Sequence, residues 1–292
     1  MPDVVIQMTG ILWMLFGVWY TDRWVTCHVS KTNIETDKLG QLIIMVTGII
    51  LGFTAPLVFW VGDKMFGQNN FYKTFIKIIM DILTHETAYR GQATIDKIKQ
   101  KHILVCGCGS VGSNIISNMA KQGFENITVI DNDRIEKHNI GNQTWGLREI
   151  NGKKVQVMKA QVYASTGIAI TPIDKELNGI NVKKLLTKDS VIVDGFDNFK
   201  SRAIIMDHCK ENDIDCIHIG LSETYAEVVW NEKYKIPKAN NKGMDVCEYP
   251  LSRNIAMFAN IIGIESIIRF ISTGVKKSYS ITIGDLRIME LE

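Results

Sequence analysis

The six cysteines of this sequence include no Cys-x-x-Cys pair, the spacing that zinc-binding cysteines commonly use. Cys106 and Cys108 are separated only by a glycine, and the other four are scattered along the chain. The cysteine spacing therefore carries no zinc signature. Free thiols of the kind found in cytosolic proteins are the interpretation that fits most of them.

An excess of charge of one sign is also missing. The chain has 33 lysines and arginines against 31 aspartates and glutamates, which gives a formal net charge of +2. A nucleic-acid-binding domain usually has a strongly basic balance or patch. We therefore expect no nucleic-acid partner.

Two long segments lack charge altogether, residues 4–20 and residues 39–62. A helix needs about 20 mainly apolar residues to cross the hydrocarbon core of a bilayer. The second segment meets that length, and the first meets it if its flanks lie in the interface. The chain starts without a basic region and shows no clear small-residue cleavage site, so a signal peptide is disfavoured. We predict a transmembrane helical hairpin within residues 1–62.

The lysine and arginine counts around this predicted hairpin do not determine its orientation. If the remainder of the chain binds a nucleotide, it must face the cytoplasm. Residues 63–90 are predicted to be a juxtamembrane helix and linker. Within them, residues 71–83 place apolar side chains on one helical face, which is typical of a helix lying on a membrane surface or of a buried packing helix.

From residue 102 onward, short apolar runs alternate with helical patterns, which predicts a Rossmann-like α/β fold with a mostly parallel sheet and helices on both faces. Antiparallel strands are expected near the C-terminus, where Gly284 and Asp285 are suited to a hairpin turn. The predicted strands are 102–106, 126–131, 168–173, 190–194, 215–219, 225–230, 279–283 and 286–291. The predicted helices are 93–101, 110–122, 150–164, 179–187, 198–212 and 252–272.

The stretch GCGSVGSN, residues 107–114, follows the first predicted strand directly. Glycines at 107, 109 and 112 would let backbone N–H groups approach a phosphate at the N-terminus of the next helix. Asp131 ends the following strand, 19 residues beyond Gly112, where a carboxylate can accept hydrogen bonds from a ribose. These features alone fit either NAD or ATP.

Two further elements favour ATP. The segment 138–143 is rich in amides, and it is followed by the paired lysines Lys153 and Lys154, which could neutralise a triphosphate. Asp197 follows a buried strand, at the sheet edge where open parallel sheets bind ligands. A carboxylate there is a natural magnesium ligand beside phosphates. Asp197 could also cap the next helix, and both roles can hold together.

With these motifs in place, the chain resembles the ThiF/MoeB/HesA family, relatives of the ubiquitin-activating enzymes. The resemblance runs from about residue 91 to the C-terminus and includes TVIDNDRIEKHNIGNQ, REINGKKVQVMKA and VIVDGFDNFKSR. It implies an adenylation domain over residues 91–292 that uses ATP and Mg²⁺ to adenylate the C-terminal carboxylate of a ubiquitin-like or sulfur-carrier protein. It also implies a homodimer.

The resemblance assigns roles to individual residues. Asp131 would hold the ribose, Lys154 the phosphates and Asp197 the metal. The nucleotide-binding set implied as a whole is Gly107, Gly109, Ser110, Gly112, Asp131, Asp133, Asn139, Asn142, Gln143, Lys154, Asp197 and Asn198. Arg90 is a candidate to contact phosphate across a dimer, and Cys247 is a candidate for a thioester or persulfide after adenylation.

Three departures from the family pattern stand out. Asn142 occupies the position of an arginine that would clamp phosphate, and either Arg134 or Arg148 could take its place. The zinc-binding cysteine pairs of many relatives are absent, so no structural zinc is predicted. The predicted membrane hairpin lies outside the family pattern.

Three other functions fit parts of the sequence. Asn142 leaves open a non-catalytic nucleotide-binding scaffold for a ubiquitin-like partner. A membrane-anchored NAD-binding oxidoreductase does not explain Lys154 or Asp197. A channel with a nucleotide-sensing domain would need a glycine-containing filter between its two helices, and residues 21–38 contain no glycine.

Overall fold

The computed structural model describes residues 82–236 and 251–292. The described residues belong to the second of the two units into which the chain divides, Ile82–Glu292. The predicted transmembrane hairpin and most of the predicted helix over residues 71–83 lie outside the described residues. So does Cys247.

One eight-stranded sheet forms the centre of the second unit, with the strand order β3-β2-β1-β4-β5-β6-β7-β8. Its first five strands in space run parallel, and β6, β7 and β8 are antiparallel to their neighbours. The strands are β1 His102–Cys106, β2 Ile127–Ile130, β3 Thr171–Ile173, β4 Ser190–Asp194, β5 Cys216–Ser222, β6 Tyr225–Trp230, β7 Ser278–Thr282 and β8 Arg287–Leu291. The predicted Rossmann-like sheet with antiparallel C-terminal strands is thus confirmed.

Seven helices accompany this sheet in the described residues. They are α1 Thr84–Arg90, α2 Gln92–Gln100, α3 Ser110–Lys121, α4 Lys154–Thr166, α5 Val182–Leu185, α6 Phe199–Glu211 and α7 Arg253–Thr273. Two short 3₁₀ helices, Lys137–Gly141 and Leu147–Glu149, lie between β2 and α4.

The sheet separates two hydrophobic clusters, and strand β1 shows why. Successive side chains of a strand point to opposite faces. Ile103 and Val105 accordingly belong to the larger cluster with α3 and α7, whereas Leu104 and Cys106 belong to the smaller one with α6. Burying such a side chain fully is worth roughly 1.5–3 kcal/mol, so strands that are apolar on both faces are stable only inside this three-layer arrangement.

Helix α7 is the only helix in the described ranges that is long and apolar enough to cross a membrane, with a mean hydropathy of 1.6. Half of its most apolar window is buried within the fold. The helix packs on α3 and on strands β5, β6 and β7. Its apolar character is therefore that of a helix covering a sheet.

The predicted element boundaries differ from the observed ones mainly before α4. We predicted a helix from residue 150, but α4 begins at Lys154. Asn151 has φ +70°, and a Cβ on Gly152 would lie 2.9 Å from the carbonyl oxygen of Glu149. The chain therefore makes a tight turn here instead of continuing the helix.

The strand order places β1 between β2 and β4. From β1, the chain first adds β2 and β3 along one edge of β1, and it then crosses over to add β4 along the opposite edge. In an open parallel sheet, the carboxyl ends of such strands border a crevice where ligands bind. The loops after β1, β2 and β4 carry the glycine motif, Asp131 and Asp197 respectively.

Candidate nucleotide-binding site

A cleft of about 360 Å³ opens at the carboxyl ends of these strands. It brings together side chains that are far apart in sequence. Its lining comprises Gly107, Gly109, Asp131, Asn132, Asp133, Lys154, Lys175, Glu176, Leu177, Gly195, Phe196, Asp197, Asn198, Lys200 and Ser201. Seven residues predicted from the sequence are among them: Gly107, Gly109, Asp131, Asp133, Lys154, Asp197 and Asn198.

The glycine loop needs its glycines for two different reasons. Gly107 has φ +94°, a conformation that other residues adopt only with strain. A Cβ on Gly112 would lie 1.9 Å from the carbonyl oxygen of Gly107, whereas a Cβ on Gly109 would meet nothing within 4 Å. Gly112 therefore allows α3 to pack on the loop, and Gly109 keeps the cleft side open.

Asp131 ties the glycine loop to the end of β2. Its carboxylate oxygens accept hydrogen bonds from the backbone N–H of Cys108 and of Asp133, each at 2.7 Å. Burial raises the pKa of Asp131 above its ordinary value, although Lys154 and these two N–H groups oppose the shift. The carboxylate lines the cleft with lone pairs remaining for a hydroxyl group.

Lys154 is the first residue of α4 and reaches into the cleft. Its side chain is 9% exposed, and its Nζ lies 2.9 Å from Oδ2 of Asp133. Burial acts to lower the pKa of Lys154, but Asp131 and Asp133 outweigh it and raise the pKa. The neighbouring Lys153 contacts Asp174 and the carbonyl oxygen of Asn132 instead. Lys154 is thus a charged group held at the cleft wall.

Two roles were considered for Asp197, a metal ligand and the N-cap of α6, and the structure assigns the N-cap to its neighbour Asn198. The side chain of Asn198 accepts a hydrogen bond from the backbone N–H of Ser201 at 2.9 Å and so caps α6. Because Asn198 provides the cap, the Asp197 carboxylate is not needed for it. Asp197 lines the cleft on the side opposite β2.

Two cationic residues of the cleft were missed in the sequence. Lys175 follows β3, and Lys200 lies in the first turn of α6. Both could have been found, since they lie just beyond predicted strands that end at the same sheet edge. With Lys154, they place three ammonium groups around a pocket that also contains carboxylates.

The other predicted nucleotide-binding residues, Ser110, Gly112, Asn139, Asn142 and Gln143, are not among those that line the cleft. Asn139 accepts a hydrogen bond from the backbone N–H of Glu136, and Gln143 accepts one from the indole of Trp145. Both are buried and shape the 3₁₀ segment. The carbonyl oxygen of Asn142 accepts hydrogen bonds from the Ser110 hydroxyl and the Asn114 amide, which fastens this segment to the start of α3.

The arginines considered in the sequence lie elsewhere. Arg90 pairs with Glu86 and Glu265 of the same chain and is not part of the cleft lining. Arg134 donates a hydrogen bond to the carbonyl oxygen of Asn151. By contrast Arg253, at the start of α7, donates a hydrogen bond of 2.8 Å to the carbonyl oxygen of Gly141. The structure thus places Arg253 against Gly141, the residue before Asn142, a proximity that spacing alone could not reveal. Like Arg90, Arg253 is not among the residues that line the cleft.

The residues of the cleft suit ATP and Mg²⁺. The open cradle at Gly109 and three ammonium groups fit a polyphosphate, and Asp131 and Asp133 offer acceptors for a ribose. Within residues 82–236 and 251–292, no cluster of three or more metal-ligating side chains occurs. A single carboxylate such as Asp197 is nevertheless the kind of ligand set that Mg²⁺ uses when phosphates complete its coordination.

Fold and site together define a Rossmann-like α/β domain whose glycine loop borders a cleft suited to a nucleotide. Residues 84–265 match the model of the ThiF family, which is more than half of the chain, and the protein belongs to that family.

Two curated proteins of different named activity are similar to this chain. The chain is 32% identical over 130 residues to a tRNA threonylcarbamoyladenosine dehydratase of Haemophilus influenzae, covering 44% of this chain and 50% of the relative. It is 32% identical over 126 residues to a probable molybdopterin-synthase adenylyltransferase of Porphyra purpurea, covering 42% of this chain and 32% of the relative. The chain thus spans half or less of the length of these relatives.

The crystal structure of Escherichia coli MccB with ATP has a similar fold. The TM-score is 0.60 at 18% sequence identity, covering 71% of this chain and 68% of MccB. At this identity the similarity establishes the fold. The curated relatives thus bear the names of a dehydratase and of an adenylyltransferase, and they do not identify the substrate of this chain.

Proposed function

We propose that this protein is an ATP-dependent adenylyltransferase that activates the C-terminal carboxylate of a ubiquitin-like or sulfur-carrier protein. The observation that carries the proposal is that Lys154 and Asp197 face one cleft with the open glycine loop. Membership in the ThiF family and the similarity to an adenylyltransferase support it. The NAD-binding alternative leaves the cluster of cations in the cleft without a role.

In the proposed reaction, a carboxylate oxygen forms a bond to the α-phosphorus of ATP while the bond to the pyrophosphate oxygen breaks. All reacting groups are anionic, so positioning and charge neutralisation dominate the barrier. Lys154, Lys175 and Lys200 would neutralise the phosphates. Asp197 would hold Mg²⁺, and the N–H groups at the start of α3 would orient the phosphates. The transfer requires no nucleophile from the protein.

Arg253 would supply the positive charge that Asn142 does not. Its guanidinium is held by the carbonyl oxygen of Gly141, the residue immediately before Asn142. The same segment is fastened to the N-terminus of α3 through the carbonyl oxygen of Asn142. We therefore favour Arg253, which the sequence did not suggest, over Arg134 and Arg148, which it did.

The proposal is tested by exchange of labelled pyrophosphate into ATP, with Mg²⁺ and with or without candidate carrier proteins. Exchange that depends on a carrier protein supports the proposal. Exchange that depends on a tRNA instead would move the substrate to RNA, the macromolecule named for one relative. Tight ATP binding without exchange under any condition would favour the scaffold alternative, and tight NAD binding without exchange would contradict both.

The role of Asp197 is tested by Asp197→Ala. We expect this variant to lose exchange while its thermal unfolding is unchanged, because the α6 cap is Asn198. The control is Asp207→Ala, which removes an exposed carboxylate from the same helix. Exchange that survives in Asp197→Ala would show that the metal ligand lies elsewhere.

Membrane attachment and dimerisation are further parts of the proposal. Membrane attachment rests on the uncharged segments 4–20 and 39–62 and would place the adenylation domain in the cytoplasm. Fractionation of cells expressing the full chain and a variant without residues 1–62 tests it; recovery of the full chain in the soluble fraction would refute attachment. Sedimentation of the purified protein tests the dimer.

A further inference from the structure

A network of buried polar side chains lies directly beneath the turn that carries Asp197. Its centre is formed by Asp194 and His218, which are fully buried, and by Arg202, which is 9% exposed. Buried charges are costly unless they are paired and hydrogen-bonded. The adenylation chemistry proposed above uses none of these three groups.

The carboxylate of Asp194 has two side-chain partners, the imidazole of His218 and the guanidinium of Arg202. Its Oδ2 lies 2.8 Å from Nδ1 of His218 and 4.0 Å from Nη1 of Arg202. The His218 ring stacks on Tyr234 at 3.7 Å, and its Nε2 lies 2.8 Å from Oδ1 of Asn231. The network therefore connects the end of β4 to β5 and to the residues after β6.

Arg202 makes the connection to the cleft. Its Nη2 donates to the carbonyl oxygen of Ile219 at 2.6 Å, and its Nη1 donates to the hydroxyl of Tyr234 at 2.9 Å. Its Nε donates to the carbonyl oxygen of Phe196, the residue immediately before Asp197. The backbone N–H of Phe196 in turn donates to Asp194 at 3.1 Å.

The turn from Asp194 to Asp197 is thus fastened through both polar backbone groups of Phe196. Asp197 also contributes to the electrostatic surroundings of Arg202. Burial lowers the pKa of Arg202, but Asp194, Tyr234 and Asp197 raise it above its usual value. Asp197 is therefore tied electrostatically and through its neighbour to a group that is itself held by β5.

We propose that Arg202 is a positioning residue that sets the place of the Asp197 carboxylate in the cleft. The inference rests on the proposed role of Asp197 toward Mg²⁺. A guanidinium can hold two carbonyl oxygens and a hydroxyl in a fixed planar geometry, which a lysine cannot reproduce. Loss of this clamp would loosen Asp197 and leave Lys154, across the cleft, in place.

The test measures how Mg²⁺ changes the affinity for ATP, by calorimetry with and without the metal. Removing Arg202 alone would leave the buried Asp194 carboxylate without its guanidinium partner, so the variant is Arg202→Met combined with Asp194→Asn. We expect the gain in ATP affinity caused by Mg²⁺ to fall about tenfold, a coupling of ordinary size for groups in contact. ATP affinity without the metal should change little.

A double-mutant cycle separates positioning from a general structural role. In a background that carries Asp197→Ala, the Arg202 and Asp194 substitutions should have no further effect on the metal-dependent affinity, because the group they position is gone. Additive losses in that background, or an unchanged Mg²⁺ effect in the Arg202→Met, Asp194→Asn protein, would overturn the inference.

Arg202→Lys keeps the charge and provides the variant to use if the double substitution does not fold. The Arg202→Lys variant should keep most of the thermal stability of the parent protein but lose much of the gain in ATP affinity that Mg²⁺ causes. If the variant keeps the thermal stability and the Mg²⁺-dependent gain in ATP affinity equally well, the proposed positioning of Asp197 by the Arg202 guanidinium is wrong. A parent protein that binds no ATP at all would instead refute the proposed function, so the two failures are distinguishable.

Discussion

The ammonium nitrogen of Lys154 lies 2.9 Å from the carboxylate of Asp133, and the two side chains differ sharply in exposure, at 9% and 61%. The lysine is thus confined to the cleft wall while its partner reaches toward solvent. We expect an incoming phosphate to be able to displace Asp133 from Lys154, because Asp133 is largely exposed and would not be left as a buried unpaired carboxylate. Asp131 and Asp133 raise the pKa of Lys154 and so keep it charged.

Lys154→Ala should lower pyrophosphate exchange by about 10²–10³-fold, the usual effect of removing one group that stabilises transition-state charge. The matched control is Lys153→Ala, because Lys153 pairs with Asp174 and not with the cleft carboxylates. Lys153→Ala should retain most of the exchange. Equal losses in the two variants would contradict the assignment of Lys154.

Two glycines of the phosphate loop should respond differently to alanine. Gly112→Ala would place a Cβ 1.9 Å from the carbonyl oxygen of Gly107, so we expect the free energy of unfolding to fall by about 2 kcal/mol or more. Gly109→Ala would place its Cβ in open space. That variant should keep its stability and bind ATP more weakly.

Urea unfolding and ATP titration of the two glycine variants measure both effects. Loss of stability in Gly109→Ala, or normal stability in Gly112→Ala, would show that the loop packs differently from the geometry described here.

Arg253 and Asn142 are predicted to be linked functionally. Arg253→Ala should reduce exchange strongly, whereas Arg134→Ala and Arg148→Ala should not. Adding Asn142→Arg to Arg253→Ala should restore exchange, because the new guanidinium would occupy the same segment at the start of α3. Steady-state exchange rates of the four variants decide the question. Failure of the added arginine to restore any activity would argue that Arg253 does more than supply charge.

We predict that Asp194 makes the free energy of unfolding depend on pH in the acidic range. Burial acts to raise its pKa, but Arg202 and His218 outweigh it and hold the pKa below the ordinary value of 3.8. The carboxylate therefore contributes stability that is present above its unfolded pKa and is lost as the pH falls through the folded pKa. The contribution should disappear progressively below about pH 4.

Asp194→Asn should lower the free energy of unfolding at pH 7 by about 3–5 kcal/mol, since Arg202 would be left without its buried partner. Below pH 4 the difference between the variant and the parent protein should shrink. Urea unfolding from pH 7 down to 2.5 measures this difference. A constant difference over the whole range would mean that Asp194 does not stabilise the fold through its charge.

Much of the fold could be predicted because its strands are short apolar runs bounded by polar turns. Strands β1, β4 and β6 begin and end where the sequence pattern predicted. The pattern failed around Asn151 and Gly152, where a turn replaces the first part of a predicted helix. Its cause is a close backbone approach at Gly152, which residue types alone do not reveal.

The residues of the cleft also fall into those that local sequence pattern predicts and those that it does not. Gly107, Asp131, Lys154 and Asp197 were found from the sequence because each lies just after a strand or at a helix start, where local pattern predicts position. Lys175 lies in no motif that the sequence singled out, and Lys200 lies within VIVDGFDNFKSR but was given no role there. Arg253 could not be found this way, since 112 residues separate it from Gly141.

The sequence by itself determined that a mostly parallel sheet carries a glycine loop after its first strand, since hydrophobic periodicity and glycine spacing are local properties of the chain. Only the tertiary structure decided which groups act together. It showed that Lys154 lines the cleft whereas Lys153 pairs with Asp174, gave the helix cap to Asn198 so that Asp197 faces the cleft, and placed Arg202 beneath Asp197. These relationships depend on distances between strands and helices that are remote along the chain, and such distances exist only once the two faces of the sheet are packed.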